Sequence, residues 1–110
     1  MTRLFTLLAI MALTFSSLNA HGHHDHKHEV SKSAIQQQAK KQLSLLVENG
    51  KVDKTFADAF LADTKEKQFG KFTEWVVRFE NKKMKDVTKE NLFIFLNLKG
   101  KVLGANYTGN

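Results

Sequence analysis

The chain has 110 residues, no cysteine, and a formal net charge of +6 from seventeen lysines and arginines against eleven aspartates and glutamates. This length accommodates one domain, and the lack of cysteine excludes disulfides and thiol chemistry. We expect no nucleic-acid partner, because lysine supplies nearly all the positive charge, whereas recognition of bases and phosphates depends mainly on arginine.

Residues 1–20 have the pattern of a secretory signal peptide. Arg3 precedes an apolar run over residues 4–15, and a short polar stretch ends at the small residue Ala20. The run is shorter than the roughly 20 apolar residues of a transmembrane helix. We expect cleavage after Ala20 and a periplasmic or secreted product that is not an integral membrane protein. The alternative is an uncleaved membrane anchor.

All five histidines of the chain lie within residues 21–28. We expect residues 21–30 to form a flexible tail and residues 31–110 to form a single domain. Neutral imidazole is the commonest protein ligand for divalent transition metals, and carboxylates complete such sites. The candidate metal ligands are His21, His23, His24, Asp25, His26 and His28.

The expected cleavage site favours particular ions. Cleavage after Ala20 frees the amine of His21 and makes His23 the third residue. The amine, two backbone amides and the His23 imidazole can surround a square-planar ion, a geometry typical of Cu(II) or Ni(II). Zn(II) also fits the tract as a whole. The alternative is that the tail binds metal only incidentally, as other histidine-rich sequences do.

An amphipathic helix is predicted after the tail. Ser33 and Gln36 have the spacing of a capping box, and Gly50 can end the helix in a left-handed conformation. The apolar residues recur at helical spacing on one face. They are Ile35, Ala39, Leu43, Leu46 and Val47.

A second, short helix is predicted after the possible cap Asp53, and strands follow it. Strands are expected over residues 65–69, 72–80, 92–98 and 101–107, where apolar and polar residues alternate or apolar residues run together. Residues 81–86 form a charged connection. In the last strand, Leu103, Ala105 and Tyr107 are predicted to share one face.

These elements predict an α+β fold, in which an amphipathic helix packs on a three- to four-stranded antiparallel meander. Trp75, Val77 and Phe79 should face the helix. Phe93 and Phe95 fall on the opposite sheet face, where loops or the short helix should cover them. The alternative is an exposed apolar patch for a partner.

Three strand segments resemble an uncharacterised family of small exported proteobacterial proteins that have a histidine-rich mature amino terminus. The segments are residues 74–79, 92–96 and 104–109, and the similarity extends over the mature chain. No activity is established for that family, so the resemblance implies export and little more.

The helix, residues 49–52 and residues 96–103 are also similar to PepSY-type modules, which are exported α+β domains. Asn97 stands where those modules usually have aspartate. This resemblance implies a fold and no activity.

Catalysis is not expected, because the predicted domain has no histidine or cysteine to activate a nucleophile. The first functional hypothesis is an exported divalent-metal-binding protein, acting as a buffer, carrier or accessory. The alternative is a periplasmic interaction module, similar to PepSY domains, whose partner is a periplasmic or membrane protein and whose tail is incidental. The lysine-rich residues 82–89 are expected to form a solvated loop, with a membrane-surface contact as the alternative.

Overall fold

The computed structural model describes residues 30–110. One α-helix, α1 (Lys32–Glu48), is followed by a 3-10 turn (Lys54–Asp58) and by strands β1 (Phe60–Phe69) and β2 (Phe72–Glu80). A second 3-10 turn (Val87–Lys89) precedes β3 (Asn91–Leu96) and β4 (Val102–Asn106). The four strands form one antiparallel sheet in the order β1-β2-β3-β4. The expected α+β meander is therefore confirmed.

The helix begins two residues earlier than the capping-box pattern predicts. Ser31 is the N-cap, and its hydroxyl accepts a hydrogen bond from the amide of Ala34 at 3.1 Å. Ser33 instead lies within the helix and is exposed. The other end agrees with the prediction, because Gly50 has a φ of +70° and its amide donates to the carbonyl of Val47. The short segment after Asp53 is a single 3-10 turn.

The core lies between α1 and one face of the sheet. Ile35, Ala39 and Leu46 have no exposed surface, and Val77 and Ile94 on the central strands are equally buried. This packing removes apolar surface from water, which stabilises the fold by roughly 1.5–3 kcal/mol for each large aliphatic side chain. The predicted packing of the helix stripe on β2 and β3 is confirmed.

A β-bulge changes which residues of β4 have side chains on the core face of the sheet. Phe95 pairs with Gly104 and Leu96 pairs with Val102, so Leu103 is the additional residue on β4. Val102 and Ala105 consequently both belong to the core. The prediction that Leu103 shares a face with Ala105 is wrong, because a bulge interrupts the two-residue alternation on which it rests.

Strand β1 is an edge of the sheet and has its own bulge between Leu61 and Asp63. It pairs with β2 along its length, whereas β3 pairs with β2 only from Trp75 onwards. The tip of the β1–β2 hairpin therefore extends past β3, and residues 72–74 have a strand neighbour on one side only.

Candidate functional site

The candidate metal ligands lie outside the described residues. His21, His23, His24, Asp25, His26 and His28 are in this group, as is the predicted signal peptide at residues 1–20. Their positions remain predictions from the sequence. The structure does locate the point at which the tract joins the domain.

Val30 attaches this end of the chain to the connection between β3 and β4. Its backbone amide donates to the carbonyl of Leu98 at 3.3 Å. Gly100 is buried beside it, and a methyl group on Gly100 would lie 3.4 Å from the Val30 side chain. Val30, which follows the histidine tract by two positions in the sequence, is therefore attached to the β3–β4 connection.

Asn97 gives this connection a defined shape. Its side-chain oxygen accepts hydrogen bonds from the amides of Lys99 at 2.9 Å and Lys101 at 3.0 Å. The Asn97 amide also donates to the carbonyl of Lys101 at 2.9 Å. Gly100 has a φ of +90°, which residues with a Cβ rarely adopt. The tract is thus joined to a well-fixed turn.

The β1–β2 turn lies at the same end of the sheet, because adjacent strands run in opposite directions. We call this the turn end, comprising residues 70–72 and 97–101. Phe72 is 71% exposed there, next to the exposed Lys71. Within residues 30–110, no ion pair includes Lys71, Lys99 or Lys101. The turn end therefore combines an exposed aromatic ring with unpaired positive charge.

We call the opposite end of the sheet the far end; it comprises residues 53–58 and 81–90. Asn81 is buried there, and its amide group donates to the hydroxyl of Thr55 at 2.7 Å. That hydroxyl donates to the carboxylate of Asp53, also at 2.7 Å. The Asn81 side-chain oxygen accepts from the amide of Lys83 at 3.0 Å. These bonds join the 3-10 turn to the charged connection.

Two of the lysines at the far end lie near carboxylates, whereas Lys54, Lys85 and Lys89 form no ion pair within residues 30–110. Lys83 forms an ion pair with Asp58 at 2.7 Å, and Lys82 lies 3.9 Å from Glu80. Lys82 also lies over the ring of Phe60, 5.9 Å from its centroid. The loop over residues 82–89 is mostly exposed, which agrees with the expectation of a solvated loop.

Two of the three pKa shifts at or near the far end involve Asp53. The amide and then the hydroxyl of Thr55 lower the pKa of Asp53 below its ordinary value of 3.8. Burial, followed by the charge of Asp53, raises the pKa of Tyr107 above 10.0. Both shifts are explained by contacts that maintain the fold.

The sheet face opposite α1 is covered by short contacts. Phe95 is only 7% exposed, and the ring of Phe69 meets it edge-on at a centroid distance of 5.8 Å. Gly109 lies against Phe93, close enough that an added methyl group would come within 3.1 Å of the ring. Lys67 donates to the carbonyl of Gly109 at 3.1 Å. The face is therefore covered as expected, but not by the short helix: the strand residue Phe69 covers Phe95, and the segment after β4 contacts Phe93.

Residues 30–110 contain no group of three or more histidine, cysteine or acidic side chains placed to hold a metal ion. The carboxylates of β1 and β2 are dispersed along the strands. Glu74 is partly buried, and this burial raises its pKa above 4.5. In this part of the chain we therefore find no second set of ligands that would compete with the histidine tract.

The sequence pattern did not identify the turn end as a site. The residues that define it are Phe72 and Lys71, and the signal was present as an apolar residue beside the turn glycine Gly70. The alternation of polar and apolar residues along β2 predicts Phe72 to be an ordinary strand residue. Its exposure follows from the length of the hairpin relative to β3, which is a tertiary property.

One protein-family model matches the chain from residue 1 to residue 110, and its description is that of a family of unknown function. No curated protein and no solved structure matches the chain. Within residues 30–110, no helix has the length and apolar character needed to cross a membrane.

Proposed function

The chain belongs to the family of unknown function DUF6488, and we propose that it is an exported protein that binds a divalent transition-metal ion. The ligands are His21, His23, His24, His26 and His28, with Asp25 as an additional donor. Its role is that of a buffer, carrier or accessory, and no catalytic step is assigned to it.

The observation that carries this proposal is the confinement of all five histidines of the chain to eight consecutive residues. Imidazole nitrogen with carboxylate oxygen is a donor set that suits Cu(II), Ni(II) and Zn(II). The chain has no cysteine, and Met84 is the only methionine after residue 20. Soft ligation of Cu(I) is therefore disfavoured, and Cu(II) or Ni(II) is the preferred ion.

The tether at Val30 supports a role for the domain in positioning the tract. The hydrogen bond from Val30 to Leu98 and the rigid turn at Asn97 fix the base of the tract. Because His28 is two residues from Val30 in the sequence, we expect a bound metal ion to be carried on the turn-end side of the domain.

The alternative, an interaction module with an incidental tail, has less free surface than its sequence suggested. Phe95 is buried, and Lys82 and Lys83 already lie near carboxylates. Both surfaces considered for a protein partner are therefore partly occupied. A periplasmic or membrane protein partner stays the second candidate.

A metal titration of the protein recovered from the exported fraction of an expressing bacterium tests the proposal. Mass spectrometry first determines whether the chain begins at His21. Cu(II), Ni(II) and Zn(II) are then added separately, and binding is followed by calorimetry and by the fluorescence of Trp75, the only tryptophan. Trp75 pairs with Leu96, two residues before the Leu98 carbonyl to which Val30 is hydrogen-bonded, so it lies in the part of the sheet nearest the tract. Bound Cu(II) should therefore quench it.

Two variants distinguish an amino-terminal Cu(II) site from metal binding by the tract as a whole. An additional alanine before His21 removes the amino-terminal Cu(II) site and should weaken Cu(II) binding while retaining Zn(II) binding. Replacement of all five histidines by glutamine should abolish both. Equal affinity in the glutamine variant and the unchanged protein would overturn the proposal. Binding should also weaken below about pH 6, because imidazole protonates near 6.5.

A further inference from the structure

We propose that the turn end is a membrane-docking surface, on which Phe72 inserts into the interface of an anionic phospholipid bilayer and nearby lysines contact the lipid head groups. This inference rests on residues 70–101 alone and does not depend on metal binding by the tract.

The first supporting feature is the exposure of Phe72. Its side chain is 71% exposed, whereas Phe79 in the same strand is 1% exposed. Because β3 pairs with β2 only from Trp75, the tip that carries Phe72 projects past the rest of the sheet. A projecting aromatic ring is suited to the boundary between head groups and acyl chains, where amphipathic and aromatic groups bind.

The second feature is the unpaired charge beside it. Lys71 and Lys99 are exposed, Lys101 is half-buried, and none of the three has an ion-pair partner within residues 30–110. At the far end, Lys82 and Lys83 each lie within 4 Å of a carboxylate, whereas Lys85 and Lys89 form no ion pair within residues 30–110 but lie beside the smaller, non-aromatic Val87. An anionic lipid surface attracts basic residues that are free to approach it. The turn end therefore has the complementary charge.

Both connections at the turn end are tight turns. Gly70 has a φ of +65° and Gly100 a φ of +90°, backbone conformations typical of glycine in turns. Lipid head groups are mobile and need no matched pocket. An acidic protein would need an arrangement of carboxylates that fits two separate turns, so the bilayer is the partner that these observations favour.

Vesicle co-sedimentation tests the proposal with the full exported protein. Vesicles of phosphatidylcholine mixed with phosphatidylglycerol are compared with vesicles of phosphatidylcholine alone, in the presence of a chelator that removes metal from the tract. The protein should bind the mixed vesicles, and added salt should weaken the binding because it screens the lysines. Absence of binding, or equal binding to both kinds of vesicle, would overturn the proposal.

Matched variants localise the contact. Phe72→Ser should reduce binding about tenfold, because it removes one large apolar group from the interface. Val87→Ser is the control, since Val87 is 73% exposed but lies at the far end. Lys71→Gln with Lys99→Gln should weaken binding about fivefold for each lysine, whereas Lys83→Gln should not. Equal losses in the Phe72 and Val87 variants would contradict the assignment.

Thermal unfolding and an acidic protein complete the test. Phe72 and Val87 are both exposed, so neither variant should change the unfolding temperature. If Phe72→Ser leaves vesicle binding unchanged but abolishes binding to a polyglutamate-coated resin, the surface is a protein-docking site and the membrane proposal is wrong.

Discussion

The two ends of the sheet contain similar residues, but these residues make different contacts. At the far end, a chain of hydrogen bonds runs from the buried Asn81 through Thr55 to the exposed Asp53, and Lys83 lies beside a carboxylate. At the turn end, Asn97 fixes the backbone, but the side chains of Phe72 and Lys71 remain exposed to solvent. The polar groups of Asn81 and Thr55 at the far end stabilise the fold, whereas Lys71 at the turn end remains available to a partner. Lysine counts alone therefore do not identify a binding surface.

Replacement of Asn81 by alanine should cause the largest loss of stability among the polar positions. The change removes two hydrogen bonds made by a buried side chain and leaves the partly buried amide of Lys83 without its acceptor, which should lower the free energy of unfolding by about 2–3 kcal/mol. Urea denaturation measures the loss. Thr55→Ser, which keeps the hydroxyl, is the control and should cost less than about 1 kcal/mol. A loss no greater than in that control would show that the far end is not held through Asn81.

Replacement of Asn97 by alanine should have a smaller effect, because the turn end is more exposed. Two bonds to backbone amides are lost, but water can replace them, so we expect a loss of about 1 kcal/mol in the free energy of unfolding. Hydrogen exchange should show faster exchange at Lys99 and Lys101, while the amides of the far end stay protected. Uniformly faster exchange would mean that the two ends do not open independently.

The ion pair of Lys83 with Asp58 should contribute little, although it is the shortest in the described part of the chain. Both side chains are more than 60% exposed, so Lys83→Gln should lower the free energy of unfolding by about 0.5 kcal/mol or less. High salt should remove even this difference. A loss of several times that size in urea denaturation would indicate an undetected role for the pair in the fold.

The pH dependence of stability should have opposite signs for Asp53 at the far end and Glu74 in β2. The lowered pKa of Asp53 gives a contribution that is present above pH 3.8 and is lost as the pH falls through the folded-state value. The raised pKa of Glu74 gives a contribution that is present below pH 4.5 and is lost as the pH rises through its folded-state value. Each effect should be small.

Urea midpoints measured across the acidic range test this pair of signs. The advantage of the unchanged protein over Asp53→Asn should shrink on acidification. Its advantage over Glu74→Gln should shrink as the pH rises. If both differences moved in the same direction, one of the two pKa assignments would be wrong.

Much of the fold could be predicted from the sequence because its signals are local. Residues 72–80 alternate in polarity and form β2 as expected, and the stripe from Ile35 to Leu46 faces the sheet. The N-cap of α1 is Ser31 and not the predicted Ser33, and both residues have capping chemistry. The choice between them depends on Val30 and its bond to Leu98. The β4 bulge was missed because it depends on pairing with β3.

The sequence predicts which residues form the candidate site but not where the site joins the domain. The tract at residues 21–28 is evident from its histidines, but the part of the domain to which it is joined required the contact of Val30. The difference between Lys83 and Lys71 was also invisible in the sequence, since both look like surface lysines. Whether a lysine has a carboxylate beside it is decided by the tertiary fold.

Strand β1 has a consequence for the behaviour of the protein at high concentration. It leaves one row of backbone hydrogen-bonding groups without a strand partner, which invites the edge of another molecule. Its bulge and the charged side chains of Asp63, Lys65 and Lys67 oppose such pairing, because an approaching strand would have to desolvate those charges and follow the bulge. Neutralising these residues should therefore favour assembly of the protein through extended sheets.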